Sequence, residues 1–364
     1  MRILLIHATA GAGHMKAAEA VYNGIKKHTT HDVRIIDALD YTNPFFKQSY
    51  KKTYTFLITR IPNIWGFFFA LLDIEMLQPF VRLARRIYNS VNAGALQRFL
   101  IEEKFDYVIS AHFLSTEVMA ALKRKGLIQS KLITIVTDYD VHRIWLARGI
   151  DRFCVATSWT KKKVKQLGIS EDKIVVTGIP TDEKFSAHYD VASMRRQMGL
   201  DETMFTVLIA TGSFGIGPIE EIIDHLKGFQ VIVVSGHNKG LYGRLSARKL
   251  DHVKVLGLVS NMPELMAISN AMVTKPGGLS ISEALVSGLP LIFFNAIPGQ
   301  EANNVKVLKT YGVGIGPCSI SEIVVELQKL RDSKDRQHIL KQIKEVAHPS
   351  AVKDIIALLQ PKSS

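Results

Sequence analysis

The 364-residue chain has little cysteine and no long apolar run. Its two cysteines, Cys154 and Cys318, stand in unrelated apolar contexts without a cluster of histidines, which argues against a disulfide framework or a zinc site and fits a reducing compartment. No segment approaches the ~20 apolar residues that span a bilayer, and the longest candidate, residues 61–72, contains a proline and a glycine. The apolar N-terminus is too short for a signal peptide and predicts a first strand. We therefore expect a soluble or peripheral protein.

Acidic residues are scarce relative to basic ones. Asp and Glu number 33 against 46 Lys and Arg, so the formal net charge is +13. Such a charge favours an anionic partner: nucleic acid, an acidic membrane surface or a phosphorylated ligand; the alternative is a diffuse basic surface without a partner. Between residues 47 and 98 many cations and aromatics are interleaved, with only Asp73 and Glu75 as acids. This segment lacks the motif of a known nucleic-acid fold, so we expect no nucleic-acid partner.

Short apolar runs alternate with helical patterns along the chain, which predicts parallel α/β units. We expect strands over residues 3–7, 33–37, 107–110, 132–137, 151–156 and 174–176, and in the second half over 205–210, 230–234, 253–256, 271–274 and 291–294. The predicted fold class is α/β, with two doubly wound Rossmann-like domains facing across a cleft, the arrangement called GT-B. The predicted boundaries are 1–186 for the first domain, 187–345 for the second, and 346–364 for a tail helix that packs back on the first.

The turn Lys275-Pro-Gly-Gly278 separates an apolar strand from a helical run. Ser280 and Glu283 have the spacing of a capping box, which predicts a helix start just after the glycines. A bare helix N-terminus suits a phosphate, and Gly277 and Gly278 allow the backbone to come close to it. We expect a nucleotide-diphosphate site here, with Lys275 assisting and Glu283 also accepting ribose hydroxyls.

The other strand ends of the second half carry similar chemistry. A glycine-rich turn after the strand at 205–210 is typical of phosphate cradles, and the later turns offer groups to a nucleotide base and to hexose hydroxyls. Any one of them is also compatible with an ordinary turn between a strand and a helix. Their repetition favours one ligand site, whose further predicted residues are Gly212, Ser213, His237, Asn238, Leu258, Gln300 and Glu301.

Two strand ends of the first half hold the candidate catalytic residues His14 and Asp138, together with two predicted acceptor or membrane residues, Gly13 and Trp145. Gly13 and His14 follow the first strand, and a neutral imidazole at a helix N-terminus can act as a general base. Asp138 and Trp145 follow a later strand, where the carboxylate can orient His14 or bind a sugar hydroxyl. The alternatives are a solvent-facing histidine and a loop that caps a strand, with Trp145 filling a core edge. The spacing of these residues fits no metal site.

An aromatic and cationic segment interrupts the α/β alternation of the first half. Trp65, Phe67 and Phe68 lie near many cations, among them Arg85 and Arg86. Aromatics that enter a lipid interface, together with cations that pair with anionic head groups, predict a monotopic membrane contact. The alternative is that the aromatics are core and the cations an ordinary wet face.

Five motifs give the chain a resemblance to a known family. They are GAGH at 11–14, VTDYDVHRIW at 136–145, VTGIP at 176–180, TKPGG at 274–278 and PGQE at 298–301. With these motifs the chain resembles the glycosyltransferases that make glycosyldiacylglycerols: plant and bacterial monogalactosyldiacylglycerol synthases and processive diacylglycerol β-glucosyltransferases. The resemblance covers nearly the whole chain and is closer to the bacterial members, because no transit extension precedes the first strand.

The resemblance implies a GT-B fold and a UDP-glucose or UDP-galactose donor in the second domain. It further implies diacylglycerol as acceptor, anionic membrane lipids as partners, and a peripheral location on the cytoplasmic face of the cell membrane. The implied reaction is inverting, with His14 as base on the acceptor hydroxyl and with neither a metal nor another cofactor. Two alternatives stay open: a GT-B transferase with another lipid or small-molecule acceptor, and a non-hydrolysing sugar epimerase.

Overall fold

A computed structural model describes residues 1–9, 11–212 and 215–360, without the side chains of 45, 51, 54–55, 58–59, 82 and 86–91. The chain forms two compact units. The first comprises Met1–Asp182, Ile297–Asn303 and Ser350–Ser364, and the second comprises Glu183–Ala296 and Asn304–Pro349. Each unit contains one six-stranded, wholly parallel sheet.

The first unit has the strand order β2-β1-β3-β4-β5-β6. Its elements are β1 (Arg2–His7), α1 (Ala12–His28), β2 (Asp32–Asp37), α2 (Pro44–Arg60), α3 (Pro62–Leu71), α4 (Gln78–Asn92), α5 (Gly94–Glu103), β3 (Tyr107–Ser110), α6 (Phe113–Arg124), β4 (Lys131–Ile135), β5 (Arg152–Val155), α7 (Ser158–Gln166) and β6 (Ile174–Val176).

The central strands of the first sheet are buried on both faces, which is why they are continuous apolar runs. Ile3 and Leu5 pack in one core cluster, whereas Leu4 and Ile6 pack in another. One cluster is closed by a helix from the C-terminal end of the chain. That helix lies against Gly24 of α1 through Val352, and the Tyr107 hydroxyl lies 2.9 Å from the Gln360 carbonyl oxygen, to which it donates.

Helices α2, α3 and α4 lie between β2 and β3 in the chain and carry many exposed apolar side chains. Phe67 is 66% exposed, and the others in this segment and its connecting turn are Phe56, Ile64, Phe68, Ile74, Met76, Phe80 and Leu83. In the described parts of the chain no single helix has the length and apolar composition of a membrane span. Pro62–Leu71 and Glu75–Arg85 meet that test only together, with a bend of 74° between them.

The second unit has the strand order β12-β11-β10-β7-β8-β9. Its elements are α8 (Val191–Gln197), β7 (Thr206–Ala210), α9 (Ile219–His225), β8 (Gln230–Val234), α10 (Lys239–Ala247), β9 (Val253–Leu256), α11 (Met262–Ala267), β10 (Ala271–Thr274), α12 (Gly278–Val286), β11 (Leu291–Phe294), α13 (Gln300–Thr310, whose first turn belongs to the first unit), β12 (Ile315–Cys318), α14 (Ile320–Arg331) and α15 (Ser333–Val346). The helix that packs on α1 is α16 (Ala351–Ile356).

Every strand predicted from the sequence is present, with small differences at its ends. Strand β4 ends at Ile135 instead of 137, and α1 begins at Ala12, so that His14 lies inside its first turn. The expected capping box at Ser280 is wrong. Helix α12 begins at Gly278, its N-cap is Gly277, and no side chain caps it, so Ser280 is already inside the helix.

Candidate active site

The first sheet reverses its winding direction between β1 and β3, because β2 lies on one side of β1 and all later strands on the other. Open parallel sheets bind ligands outside the carboxyl ends of the strands at such a point. His14 reaches this position from the first turn of α1, directly after β1. His112 reaches it as the N-cap of α6, directly after β3.

Hydrogen bonds and ring contacts hold the His14 side chain. Its Nδ1 lies 2.9 Å from the hydroxyl oxygen of Thr137, and the two groups share a hydrogen bond. The ring meets that of His112 edge to face at 4.8 Å between centroids and lies 5.9 Å from the ring of Trp145. Burial lowers the pKa of His14 to about 4; a backbone hydrogen bond with Ala111 opposes this shift and the nearby His7 adds to it. The imidazole is therefore neutral at pH 7.

His112 was not among the residues predicted from the sequence. Its Nδ1 accepts a hydrogen bond from the backbone N–H of Leu114 at 3.2 Å, so the ring proton belongs on Nε2. Burial, with His14 and His7 nearby, lowers the pKa of His112 well below its usual value. Its position in the sequence could have predicted it, because His112 lies between an apolar strand and a helix in the same way as His14.

The carboxylate of Asp138 joins two of the predicted site residues. One oxygen accepts from the indole N–H of Trp145 at 3.2 Å, and the other accepts from the side-chain amide of Gln300 at 2.7 Å. Asp138 is only 4% exposed, and hydrogen bonds to a buried carboxylate are about twice as strong as those between neutral groups. The Thr137 hydroxyl lies at Nδ1 of His14, and both roles expected of Asp138, orienting His14 or binding a sugar hydroxyl, stay predictions.

Some of the predicted acceptor and membrane residues are exposed to solvent, and others are packed inside the protein. Phe67 and Phe68 are exposed, whereas Trp65 is half-buried and its ring lies 5.9 Å from that of Phe69. Trp145 is 2% exposed, so it is an internal residue that holds Asp138 and does not face a membrane. Gly13 lies in the first turn of α1, next to His14.

Arg85 is also turned inward. Its guanidinium forms an ion pair with Glu117 at 3.2 Å and donates to the carbonyl of Ile144 at 2.9 Å. In this conformation it fastens α4 to α6 and to the turn that carries Trp145. The side chain of Arg86 lies outside the described residues, so its predicted membrane contact stays a prediction.

In the second unit the winding direction reverses between β7 and β10. The loop after β10 leads to the N-terminus of α12, where a Cβ built on Gly277 would have no described atom within 4 Å beyond its chain neighbours. The Thr274 hydroxyl donates to the carbonyl of Ala210 at 2.6 Å and ties the two strand ends together. The buried Thr211 hydroxyl has no hydrogen-bond partner within the described ranges. Open space at the start of α12 and an unpaired buried donor after the neighbouring strand β7 thus occur at the same edge of the sheet.

The remaining predicted donor residues lie at the expected strand ends. Asn238 is an N-cap whose oxygen accepts from Leu241 N–H at 2.9 Å and whose amide donates to the Gly215 carbonyl at 3.1 Å. Glu301 accepts from the backbone N–H of Ile297 at 2.9 Å. His237 and Leu258 are exposed, Lys275, Glu283 and Ser280 are half-buried, Gly278 is buried, and Gly212 has a positive φ. Ser213 lies outside the described residues, and these donor roles stay predictions.

In the part of the chain that the structure describes, no group of three or more His, Cys, Asp or Glu side chains is placed to hold a metal ion. The expectation of a metal-independent reaction stays a prediction.

Comparison with known proteins identifies the family. A family model described as monogalactosyldiacylglycerol (MGDG) synthase matches residues 14–181. Processive diacylglycerol β-glucosyltransferases from Staphylococcus saprophyticus and Staphylococcus epidermidis are 30% and 31% identical, each over 86% of this chain and 80% of the relative. The chain belongs to this family. It is a glycosyltransferase, and this family membership rules out the sugar-epimerase alternative.

Solved structures show that this glycosyltransferase has the GT-B fold. MurG from Acinetobacter baumannii matches with a TM-score of 0.63 at 14% identity over 99% of both chains. Anabaena HepE in complex with UDP matches with a TM-score of 0.58 at 13% identity over 98% of this chain and 99% of HepE. Sequence identities this low establish only the fold, so the glycosyltransferase activity is inferred from family membership.

Proposed function

We propose that this glycosyltransferase moves a hexose, glucose or galactose, from a UDP-sugar to diacylglycerol, with inversion at the anomeric carbon and without a metal. The main observation behind this proposal is that His14 is neutral and hydrogen-bonded to Thr137 at the switch point of the first sheet, where the winding direction reverses between β1 and β3. The relatives, named for glucosyl transfer to diacylglycerol, support the acceptor and the reaction class. HepE, with structures in complex with UDP and with UDP-glucose, supports a UDP-sugar as donor.

The first unit supplies the base. The free hydroxyl of diacylglycerol attacks the anomeric carbon, and its proton passes to the imidazole of His14. The catalytic form is the tautomer in which Nδ1 donates its proton to the Thr137 oxygen, because Nε2 then carries the lone pair that a general base needs and does not donate to Ala111. The bond from the anomeric carbon to the diphosphate oxygen breaks as the new glycosidic bond forms, so UDP leaves from the opposite face and the configuration inverts.

The second unit supplies stabilisation for the leaving diphosphate. The N-terminus of α12 carries unpaired backbone N–H groups and the positive end of the helix dipole, and both favour an anion. Gly277 leaves the approach open, and the unpaired Thr211 hydroxyl is a further donor at the neighbouring strand end. Such preorganised donors stabilise developing charge without a metal ion.

Replacing Gly277 by alanine tests this phosphate site. Gly277 has φ −74° and ψ 133°, which any residue adopts, so we expect the folded protein to tolerate the methyl group. The methyl would occupy the space where the diphosphate lies, and we expect UDP affinity, measured by calorimetry, to fall about tenfold, or 1.4 kcal/mol. Gly243→Ala is the matched control. Gly243 lies within α10 of the same unit, and a Cβ built on it would likewise have no described atom within 4 Å beyond its chain neighbours. Unchanged UDP affinity in Gly277→Ala would remove the diphosphate from this helix end.

We further propose that the protein acts on the cytoplasmic surface of the cell membrane, which it contacts through α2, α3 and α4. Among the described residues, eight of the 15 exposed large apolar side chains lie in this segment and its connecting turn, and such a concentration is typical of a membrane or protein contact. Lys and Arg accompany them, and the net charge of +13 favours anionic lipids. Burial of the aromatic rings in the lipid interface supplies the apolar part of the binding energy.

The Phe67→Ser variant tests this membrane contact. Phe67 is 66% exposed, and burying a phenylalanine in an apolar medium contributes about 1.5–3 kcal/mol. We expect partition onto vesicles that contain phosphatidylglycerol, measured by sedimentation, to weaken about tenfold or more. Leu127→Ser serves as control, because Leu127 is 48% exposed in the turn after α6 and does not belong to α2, α3 or α4. Equal losses in the two variants would contradict a specific lipid-facing surface.

One assay tests the proposed function directly. The protein is incubated with UDP-glucose or UDP-galactose and diacylglycerol vesicles, with and without EDTA, and the lipid product is characterised by mass spectrometry and by the anomeric coupling in NMR. We expect a β-linked hexosyldiacylglycerol from one of the two donors, formed equally with EDTA. An α-linked product contradicts inversion, loss of activity with EDTA contradicts metal independence, and transfer only to another acceptor favours the alternative lipid or small-molecule substrate.

A further inference from the structure

Helix α3 touches the segment Ile297–Asn303 at a glycine. Gly66 lies inside the helix, and a Cβ built on it would be 2.6 Å from the Cβ of Pro298 and 3.1 Å from its carbonyl oxygen. Close-packed carbon atoms do not approach to 2.6 Å, so a side chain here would displace the segment. A glycine inside a helix is about 0.5–1 kcal/mol less favourable than alanine, and this close approach gives a physical reason for it.

A second close approach follows one turn along the same helix. Residues three apart lie on one face of a helix, so Phe69 faces the same way as Gly66. Gly299 has φ +91°, and a Cβ on it would be 2.9 Å from Cδ1 of the Phe69 ring. The helix and the segment therefore meet at two adjacent points, with a glycine in the helix at one and a glycine in the segment at the other.

This segment carries the residues predicted to bind the donor sugar. Gln300 follows Gly299 directly, and its amide donates to the carboxylate of Asp138 at 2.7 Å. Glu301 accepts from the backbone N–H of Ile297 at 2.9 Å, which closes the segment into a turn. A shift of Pro298 away from α3 would therefore move Gln300 relative to Asp138.

The Phe69 end of α3 is itself fastened to the chain after β4. His142 accepts from the backbone N–H of Ile144 through Nδ1 at 3.0 Å, so its Nε2 carries the proton and donates to the carbonyl of Phe69 at 2.8 Å. The two rings lie 4.1 Å apart between centroids. The helix face that supports the segment is thus tied to the stretch that holds Asp138 and Trp145.

From these contacts we propose that Gly66 and Phe69 are positioning residues for the donor sugar, because they set the place of the turn that carries Gln300. The inference rests on the proposed function, in which Gln300 binds hexose hydroxyls. The opposite side of α3 presents Ile64, Phe67 and Phe68 to solvent. One ten-residue helix therefore bears the lipid-facing aromatics on one side and the support of the sugar-binding turn on the other.

The Gly66→Ala variant, tested in the full-length protein, separates sugar positioning from a general loss of structure. The added methyl pushes Pro298 outward, and a displacement of about 1 Å at a reacting group can lower the rate about a hundredfold. We expect kcat/KM for the UDP-hexose to fall at least tenfold, while the Kd of UDP, whose predicted site is in the second unit, changes less than twofold. Gly94→Ala is the control, since Gly94 begins α5 with no described atom within 4 Å of its Cβ position.

Unchanged kcat/KM in Gly66→Ala would overturn the inference, and so would a parallel loss of UDP affinity. If that variant fails to fold, Phe69→Leu takes its place, because leucine keeps the apolar contact but removes the ring beneath Gly299. The same split between kcat/KM and UDP affinity is then expected. A wild-type protein that transfers hexose from neither UDP-sugar contradicts the proposed function itself, before any variant is compared.

Discussion

His14→Ala is expected to lower the rate of hexose transfer by about a thousandfold, within the 10²–10⁴ that a general base contributes. The imidazole lies at the switch point of the first sheet with Thr137 on Nδ1, and alanine leaves no group there to take the acceptor proton. UDP affinity is expected to persist, because the residues proposed to bind the diphosphate belong to the second unit. Single-turnover transfer and calorimetric UDP binding measure the two quantities separately.

The control for this variant is His28→Ala. His28 is an exposed residue in the last turn of the same helix, so its loss is expected to leave transfer near the wild-type rate. Near wild-type transfer by His14→Ala would remove the imidazole from the mechanism. Loss of both transfer and UDP affinity would instead point to a folding defect, which far-ultraviolet circular dichroism detects.

The pH profile of the wild type offers a second readout of the same residue. Burial lowers the pKa of His14 to about 4, so the base form survives as the pH falls from 7 through 6.5, where a free histidine becomes protonated. We expect the acid limb of kcat/KM to lie nearer pH 4 than pH 6.5. The free energy of unfolding changes in the same direction. A group whose pKa is lower in the folded state stabilises the fold above its unfolded pKa, and this stabilisation is lost as the pH falls towards 4. Denaturant unfolding at each pH separates the two effects.

Most strands of the fold were predictable because strands buried on both faces must be continuous apolar runs. Strand β12 was not predicted, since Ile315–Cys318 contains a glycine and a proline and only one of its residues is fully buried. Such an edge strand leaves little pattern in the sequence. The alternation of strands and helices, together with the motifs, predicted the GT-B architecture.

The site was predictable only in part. Strand ends marked His14 and Asp138, because position after a strand is a local property of the sequence. The contact between Gln300 and Asp138 joins residues 162 apart in the chain, and no local pattern predicts such a pairing. Thr137 was assigned to a strand and therefore overlooked, although β4 ends two residues earlier.

The wrong capping box has a similar physical origin. Serine and glutamate three apart are typical of many helix starts, and the same chain has a real capping box formed by Ser319 and Glu322 before α14. At α12 the glycines already lie at the helix start, so Ser280 falls within its first turn. A helix end without a side-chain cap keeps its N–H groups available, which strengthens the proposed anion site instead of weakening it.

Asp138→Asn is expected to lower kcat/KM for the UDP-hexose about a hundredfold and to destabilise the fold by about 2 kcal/mol. The carboxylate accepts from Trp145 with one oxygen and from Gln300 with the other. An asparagine has one oxygen only, so its amide group faces a donor N–H and one buried hydrogen bond is lost. Release of Gln300 would misplace a predicted sugar ligand, and denaturant titration measures the loss of stability.

A double variant shows which lost hydrogen bond matters for activity. Trp145→Phe keeps an aromatic ring but removes the indole N–H, so in Asp138→Asn/Trp145→Phe the amide oxygen can turn to Gln300 without a donor clash at the ring. We expect the double variant to recover part of the kcat/KM lost in Asp138→Asn, a coupling that residues in contact commonly show. Asp190→Asn is the control, because asparagine and aspartate are nearly equal as helix N-caps and Asp190 is the N-cap of α8. If the double variant is no more active than Asp138→Asn, the carboxylate acts in some way other than holding Gln300.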